Sequence, residues 1–248
     1  MISIKTEEET NIMRACGEKL KKVTSILFSK IQTGISTFEI NDEAIKLLQE
    51  EGVEPSFTKV PKYKWAVCVP INSQVVHTPP SKRILKKGDV LTVDIGAFYK
   101  GFHTDFAITI EVGVKTDPVS RFLNAGKSAL QKAIDISCEG NRIYDISNVI
   151  QNEIEKSGFA PIKELTGHGV GRKLHEDPFI PGIAHGKREK SPEILSGMTF
   201  AIEVIYAMKD PTIVYEDDGW SIETADKSLT ACFEHTIIVT KSGPEVIT

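Results

Sequence analysis

The chain repeats itself at one constant spacing, and that constrains its fold more than composition does. Gly34-Ile-Ser-Thr-Phe38-Glu39-Ile40 and Gly140-Asn-Arg-Ile-Tyr144-Asp145-Ile146 match in glycine, aromatic, acidic and aliphatic positions, and Gly52 meets Gly158 at the same offset. Each copy follows a long helical pattern. Each is followed, after a loop, by strand-like runs carrying acids: Asp94 and Asp105 first, Glu203 and Glu234 second. The period far exceeds that of a solenoid unit. Two similar helix–helix–hairpin halves, about residues 1–115 and 116–248, would then face one another across one site in a single domain. Chance similarity of two amphipathic helices is the alternative.

The helices can be placed from their caps. Thr6-Glu7-Glu8-Glu9 has the capping-box form and predicts a helix to about Ser29, with Ile12, Ala15, Cys16, Leu20, Val23, Ile26 and Leu27 on its apolar stripe. Ser36 with Glu39 predicts a second helix ending at Gly52. Residues 53–82, rich in proline and aromatics, read as loop with a short strand near Val67–Val69. Asp117-Pro118 opens a third helix to about Cys138, and a fourth runs from about Ile143 to Ser157.

Between them lies GDVLTVDIGAFYKGFHTDFAITIEVG, residues 88–113, which reads as a β-hairpin turning at Tyr99-Lys100-Gly101. Leu91, Val93 and Ile95 alternate with Thr92, Asp94 and Gly96. Phe106, Ile108 and Ile110 alternate with Asp105, Ala107 and Thr109. Asp94 and Asp105 therefore lie opposite each other or within two positions. Two facing carboxylates among β-branched residues repel and lose hydration, and a cation is the simplest compensation. One exposed acid and one turn-capping acid would be the bland reading.

The second half offers four further places. Thr166-Gly-His168-Gly-Val-Gly171 sets a histidine between glycines, without the dinucleotide fingerprint or Walker lysine of a phosphate loop. Flanking glycines let backbone pass close to a ligand, which suits a metal site. His175-Glu176-Asp177-Pro178 is not the HExxH zinc helix, because position 179 is Phe179. Phe200-Ala-Ile-Glu203-Val-Ile and Ala231-Cys-Phe-Glu234-His235-Thr each place an acid inside an apolar strand. Together these places can supply four carboxylates and one imidazole, a set rich in hard oxygen donors that suits a pair of divalent ions.

Charge and cysteine usage narrow the class. A net charge of −4 with no basic stripe offers nothing to nucleic acid or a lipid surface. The polar, acidic start MISIKTEEET is no signal peptide, and no apolar run reaches membrane-spanning length. Cys16, Cys68, Cys138 and Cys232 form no CxxC pair, which favours reduced thiols in a cytosol.

These motifs resemble those of the type I methionine aminopeptidases, which have the pita-bread fold shared with aminopeptidase P and prolidase. The likeness runs from the first helix through the His77 segment, the double-aspartate hairpin, GHGVGRKLHEDP, the IE strand and DGWSIETADKSL to FEHT. It implies an α+β fold, two pseudo-symmetric halves around a curved antiparallel sheet. The extra N-terminal domain of aminopeptidase P and prolidase and the type II helical insertion are not expected here. By the resemblance, two divalent ions (cobalt, manganese, iron or zinc) would sit on Asp94, Asp105, His168, Glu203 and Glu234, with Asp105 and Glu234 bridging.

The resemblance also implies the chemistry. A metal-bridging hydroxide would attack the scissile carbonyl, Glu203 would assist proton transfer, His175 would stabilise the oxyanion and His77 would contact the substrate backbone. Phe57, Tyr63, Cys68, Leu174, Ile205 and Trp220 fall where the pocket for the first side chain is built. Substrates would be the N-termini of nascent polypeptides with a small second residue, met by a cytoplasmic monomer, with the ribosome as a further partner. His103 and His235 would support ligands from behind, and His185 would be exposed. Departures fall at Thr78, Val204, Ile205, Phe57 and Leu174, where the family usually has glycine, proline, methionine, cysteine and phenylalanine. Two other readings are a pita-bread binding module that has lost its ligands and an Xaa-Pro aminopeptidase. Survival of all five ligand positions speaks against the first.

Overall fold

Thr6 and Ser36 start their helices as their side chains dictate. In a computed structural model, which describes residues 2–248, Thr6 Oγ1 accepts from Glu9 N–H while the Glu9 carboxylate accepts from Thr6 N–H at 2.8 Å. Helix α1 then runs Glu7–Lys30. Ser36 and Glu39 repeat the device ahead of α2, Thr37–Glu50. Helix α3 spans Asp117–Asp135 and α4 Ile143–Lys156. At α4 the cap position holds Arg142, which lacks a hydroxyl. Asp145 still accepts from Arg142 N–H at 2.9 Å, and Ser191 Oγ accepts from Tyr144 N–H.

The strands are β1 (Glu54–Pro55), β2 (Val67–Cys68), β3 (Gln74–Val76), β4 (Val90–Tyr99) and β5 (Phe102–Glu111) in the first half. The second half adds β6 (Ala160–Pro161), β7 (Thr166–Gly169), β8 (Glu176–Pro181), β9 (Thr199–Ala207), β10 (Ile213–Tyr215), β11 (Ile222–Thr224), β12 (Thr230–Thr240) and β13 (Gly243–Val246). Lys100 and Gly101, with φ of +47° and +88°, make the two-residue turn between β4 and β5. The large sheet runs β1-β4-β5-β12-β9-β7-β8. Its two halves correspond: β4 pairs with β5 as β9 pairs with β12, and β1 lies on β4 as β6 lies on β9. Pairing of Ala107 with Glu234 joins them at the centre.

Period-two alternation sorts the two faces of this sheet. Leu91, Val93 and Ile95 pack under α1 and α2 with Leu20, Val23 and Leu48. Phe200, Ile202, Val204 and Phe233 pack under α3 and α4 with Phe122, Ile146 and Ile150. The four strand acids are left on the other face. Over that face stands a second, three-stranded sheet, β10-β11-β3, whose β3 falls within the proline-rich residues 53–82. Val75, Val76 and Ile222 of this small sheet pack on Ala107, Ile205 and Cys232. Among the described residues no helix is long and apolar enough to cross a membrane.

Candidate metal centre

Five strands each contribute one polar side chain to a single pocket of about 140 Å³: Asp94 from β4, Asp105 from β5, His168 from β7, Glu203 from β9 and Glu234 from β12. Register explains the convergence. Asp94 opposes Ala107 while Asp105 opposes Gly96, two positions along, and Glu203 directly opposes Glu234. Asp105, His168 and Glu234 offer donor atoms all within 4.8 Å of one another. His168 Nε2 lies 3.3 Å from Glu203 Oε1. Its Nδ1 is 2.8 Å from Gly169 O, which can only accept, so Nδ1 carries the proton and Nε2 presents a lone pair.

The cluster is electrostatically frustrated. Burial, then Asp105 and Glu203, push the Asp94 carboxyl well above its usual range, against a smaller lowering by the Cys68 thiol. Burial, then Asp105, Glu203 and Asp94, do the same to Glu234. Glu203 is raised by burial and Asp105, and Asp105 itself is pushed up to about 7 by burial. Burial, then His175, holds His168 down at about 3, so its imidazole is neutral. No Lys or Arg is among the residues lining the pocket. Asp94 Oδ1 and Glu234 Oε1 are buried without any hydrogen-bond partner. Partnerless carboxylate oxygens around a neutral imidazole fit hard divalent cations, whose charge would supply the missing compensation.

The rest of the pocket is apolar with two histidines at its mouth. His175 stands with its ring 4.4 Å from that of His168, at 70°. His77 has a φ of +60°, a left-handed conformation that costs a non-glycine residue on the order of 1 kcal/mol or more. Tyr63 sits at the centre of the aromatic wall, edge-on to Trp220 at 5.0 Å and to Phe57 at 6.4 Å. Its hydroxyl donates to Val67 O and lies 3.1 Å from Cys68 Sγ. Cys68 is the cross-strand neighbour of Asp94. Leu174 completes the wall.

Some expectations need correction. Ile205 is on the same face as Glu203 but is not among the lining residues. It is 4 % exposed and packs behind the wall with Val75, Val76 and Ile222. Val60 and Val76 do line the pocket, and nothing local in the sequence marks them. The glycines beside His168 serve neighbouring backbone rather than a ligand. A Cβ at Gly167 would lie 2.6 Å from Ala201 O, and one at Gly169 2.3 Å from Asp177 O. His103 turns to Ser56, with 2.6 Å between Nδ1 and Oγ, and His235 packs on Phe106 beside Thr248. His185 is exposed.

The sequence of residues 11–241 matches the model of metallopeptidase family M24. The chain belongs to that family. Within M24, it is 35 % identical to the methionine aminopeptidase of Clostridium perfringens, covering 100 % of this chain and 99 % of the relative. The crystal structure of a methionine aminopeptidase from Thermotoga maritima superposes with a TM-score of 0.96 at 36 % identity, covering 100 % and 99 %. A prolidase from Pyrococcus furiosus, at 22 % identity and a TM-score of 0.80, covers 99 % of this chain and 65 % of its own, and shares the fold. The pita-bread fold and a metallopeptidase activity follow for this M24 chain. Its carboxylate cluster lies where the fold's two halves meet, at the β5–β12 seam.

Proposed function

We propose that this M24 metallopeptidase removes the N-terminal methionine from polypeptides, using two divalent ions held by Asp94, Asp105, His168, Glu203 and Glu234. One observation carries the reading: four clustered carboxylates that repel one another, two of them with a buried partnerless oxygen, adjoin a small apolar pocket. Full-length similarity to methionine aminopeptidases supports it. Divalent ions such as manganese, iron, cobalt or zinc would acidify a water and polarise a carbonyl, which amide hydrolysis at neutral pH otherwise lacks.

The chain's own residues do the rest. Glu203 takes a proton at a carboxylate oxygen and returns it to the leaving amine; burial keeps that carboxyl basic. His175 donates a hydrogen bond to the carbonyl oxygen as negative charge develops there. His77 steadies the substrate backbone from the other side of the mouth. Phe57, Val60, Tyr63, Cys68, Leu174, Val76 and Trp220 enclose the first side chain. A charged side chain would be desolvated there without a partner. Methionine, unbranched and polarisable, fits an irregular pocket and gains sulfur–aromatic contact with Tyr63 or Trp220. The resemblance to type I methionine aminopeptidases implies a preference for a small second residue. Substrates are nascent chains in the cytoplasm, met at the ribosome by a monomeric enzyme; four free cysteines suit a reducing compartment.

The deciding experiment is metal-dependent release of methionine from Met-Gly-Met-Met, compared with Leu-, Phe- and Xaa-Pro-headed peptides. Anomalous scattering under saturating manganese should place two ions within about 4 Å of each other. A higher kcat/KM for leucine, phenylalanine or an Xaa-Pro substrate would refute the assignment.

A further inference from the structure

Two sequence features have no part in this chemistry: Glu176 of the HEDP stretch and Gly171, the last glycine after His168. They meet at one buried point. Glu176 Oε2 lies 2.6 Å from Lys5 Nζ, with the two side chains 11 % and 2 % exposed. The other carboxylate oxygen accepts from Lys173 N–H at 3.0 Å, and Arg172 N–H donates to the same group. Lys5 comes from the segment ahead of α1, pinned by Lys5 N–H donating to Gly197 O at 2.8 Å. A Cβ at Gly171 would lie 2.4 Å from Lys5 Cε, so the glycine is the space through which the lysine stem passes. Among the described Lys and Arg ion pairs this is the most buried. In each of the others, such as Arg14–Glu245, Lys30–Glu43 and Arg83–Asp89, at least one side chain is more than a third exposed.

The pair closes a loop that faces the pocket. Gly171 N–H donates to Lys173 O at 3.0 Å and His103 N–H to Gly171 O at 2.7 Å, while Glu176 gathers the N–H groups of Arg172 and Lys173. That loop ends in Leu174 and His175, both on the pocket wall. We infer that Lys5 and Glu176 are positioning residues for the reaction: Lys5 keeps Glu176 in its buried place, and Glu176 holds the loop so that His175 meets the carbonyl oxygen. This rests on the role given to His175 above. With Lys5 made neutral, the Glu176 carboxylate is left buried and unpaired, and it swings out toward water, which releases the N–H groups of Arg172 and Lys173 and loosens the loop. A displacement of about 1 Å at His175 costs up to roughly 10²-fold in rate.

The test uses the metal-loaded full chain. Lys5→Met should lower kcat about 10- to 100-fold with KM and metal content little changed. Lys5→Met with Glu176→Gln should regain most of that loss, because the amide oxygen still accepts from Lys173 N–H without a buried charge. On a His175→Ala background, Lys5→Met should have no further effect. In NMR spectra the His175 ring signals should shift in Lys5→Met while those of His185 stay in place. A kcat loss that merely tracks the unfolded fraction by circular dichroism overturns the inference. So does a full Lys5→Met effect in the absence of His175, failure of the double variant to recover, or an unmoved His175 signal. If wild-type protein released no methionine at all, the reading of the reaction would fall. The ring signals would then decide the positioning role alone.

Discussion

Asp105→Asn should make the metal-free protein more stable while destroying its affinity for metal. Burial raises the wild-type carboxyl from 3.8 to about 7, and each tenfold change in proton affinity is worth about 1.4 kcal/mol. A carboxyl whose folded pKa is raised costs stability that is fully felt above the folded value. That cost shrinks as pH falls and disappears below the unfolded value, near 4. At pH 8 without metal, ionised Asp105 therefore costs on the order of 4 kcal/mol. The amide keeps the Oδ1 acceptor used by Phe106 N–H at 3.1 Å, and its NH₂ can donate to the neighbouring carboxylates. Allowing for imperfect pairing, the gain should be about 2–4 kcal/mol, or roughly 4–16 °C in Tm for a chain of this size. Denaturant titrations in EDTA at pH 8 and pH 5 would measure it, with a much smaller gain at pH 5. Under saturating manganese the order should reverse. No gain in EDTA at pH 8, or an order that manganese leaves unchanged, would refute the frustrated-cluster argument.

Three other perturbations test separate parts of the site. His175→Ala should lower kcat by roughly 10²-fold, as expected for one lost donor, while metal content by atomic absorption stays at the wild-type level. Phe57→Ala should shift the leucine-to-methionine ratio of kcat/KM by roughly 10-fold or more, whereas Ile205→Met should leave it unchanged, because Ile205 lies behind the wall. Gly96→Ala would place a Cβ 2.6 Å from Ser56 Cβ and 3.0 Å from Thr104 O. It should cost about 1–3 kcal/mol by chemical denaturation and loosen the hairpin beside Asp94.

What could be read from the sequence is what neighbours along the chain decide. Thr6 with Glu9 and Ser36 with Glu39 mark helix starts because a cap is completed within one turn. The hairpin was legible because alternation and a Lys100-Gly101 turn set its register, and register put Asp94 and Asp105 within two positions. The repeat foretold a second pair of acids facing the first. The remaining features depend on segments far apart in the chain. Strand β3 pairs with β11 through Gln74 with Glu223 and Val76 with Ile222, partners far apart in the chain, and Ile205 on β9 packs against that small sheet while Val76 lines the pocket. Arg142 has no cap hydroxyl of its own, yet α4 begins there because Ser191 supplies one from across the fold. The glycines around His168 looked like room for a ligand. Packing shows them making room for Ala201, Asp177 and Lys5. Alternation and capping act over two to four residues and leave a pattern in the sequence. A pocket wall or a buried ion pair is chosen among distant partners by burial and shape, and those are set only when the whole chain has packed.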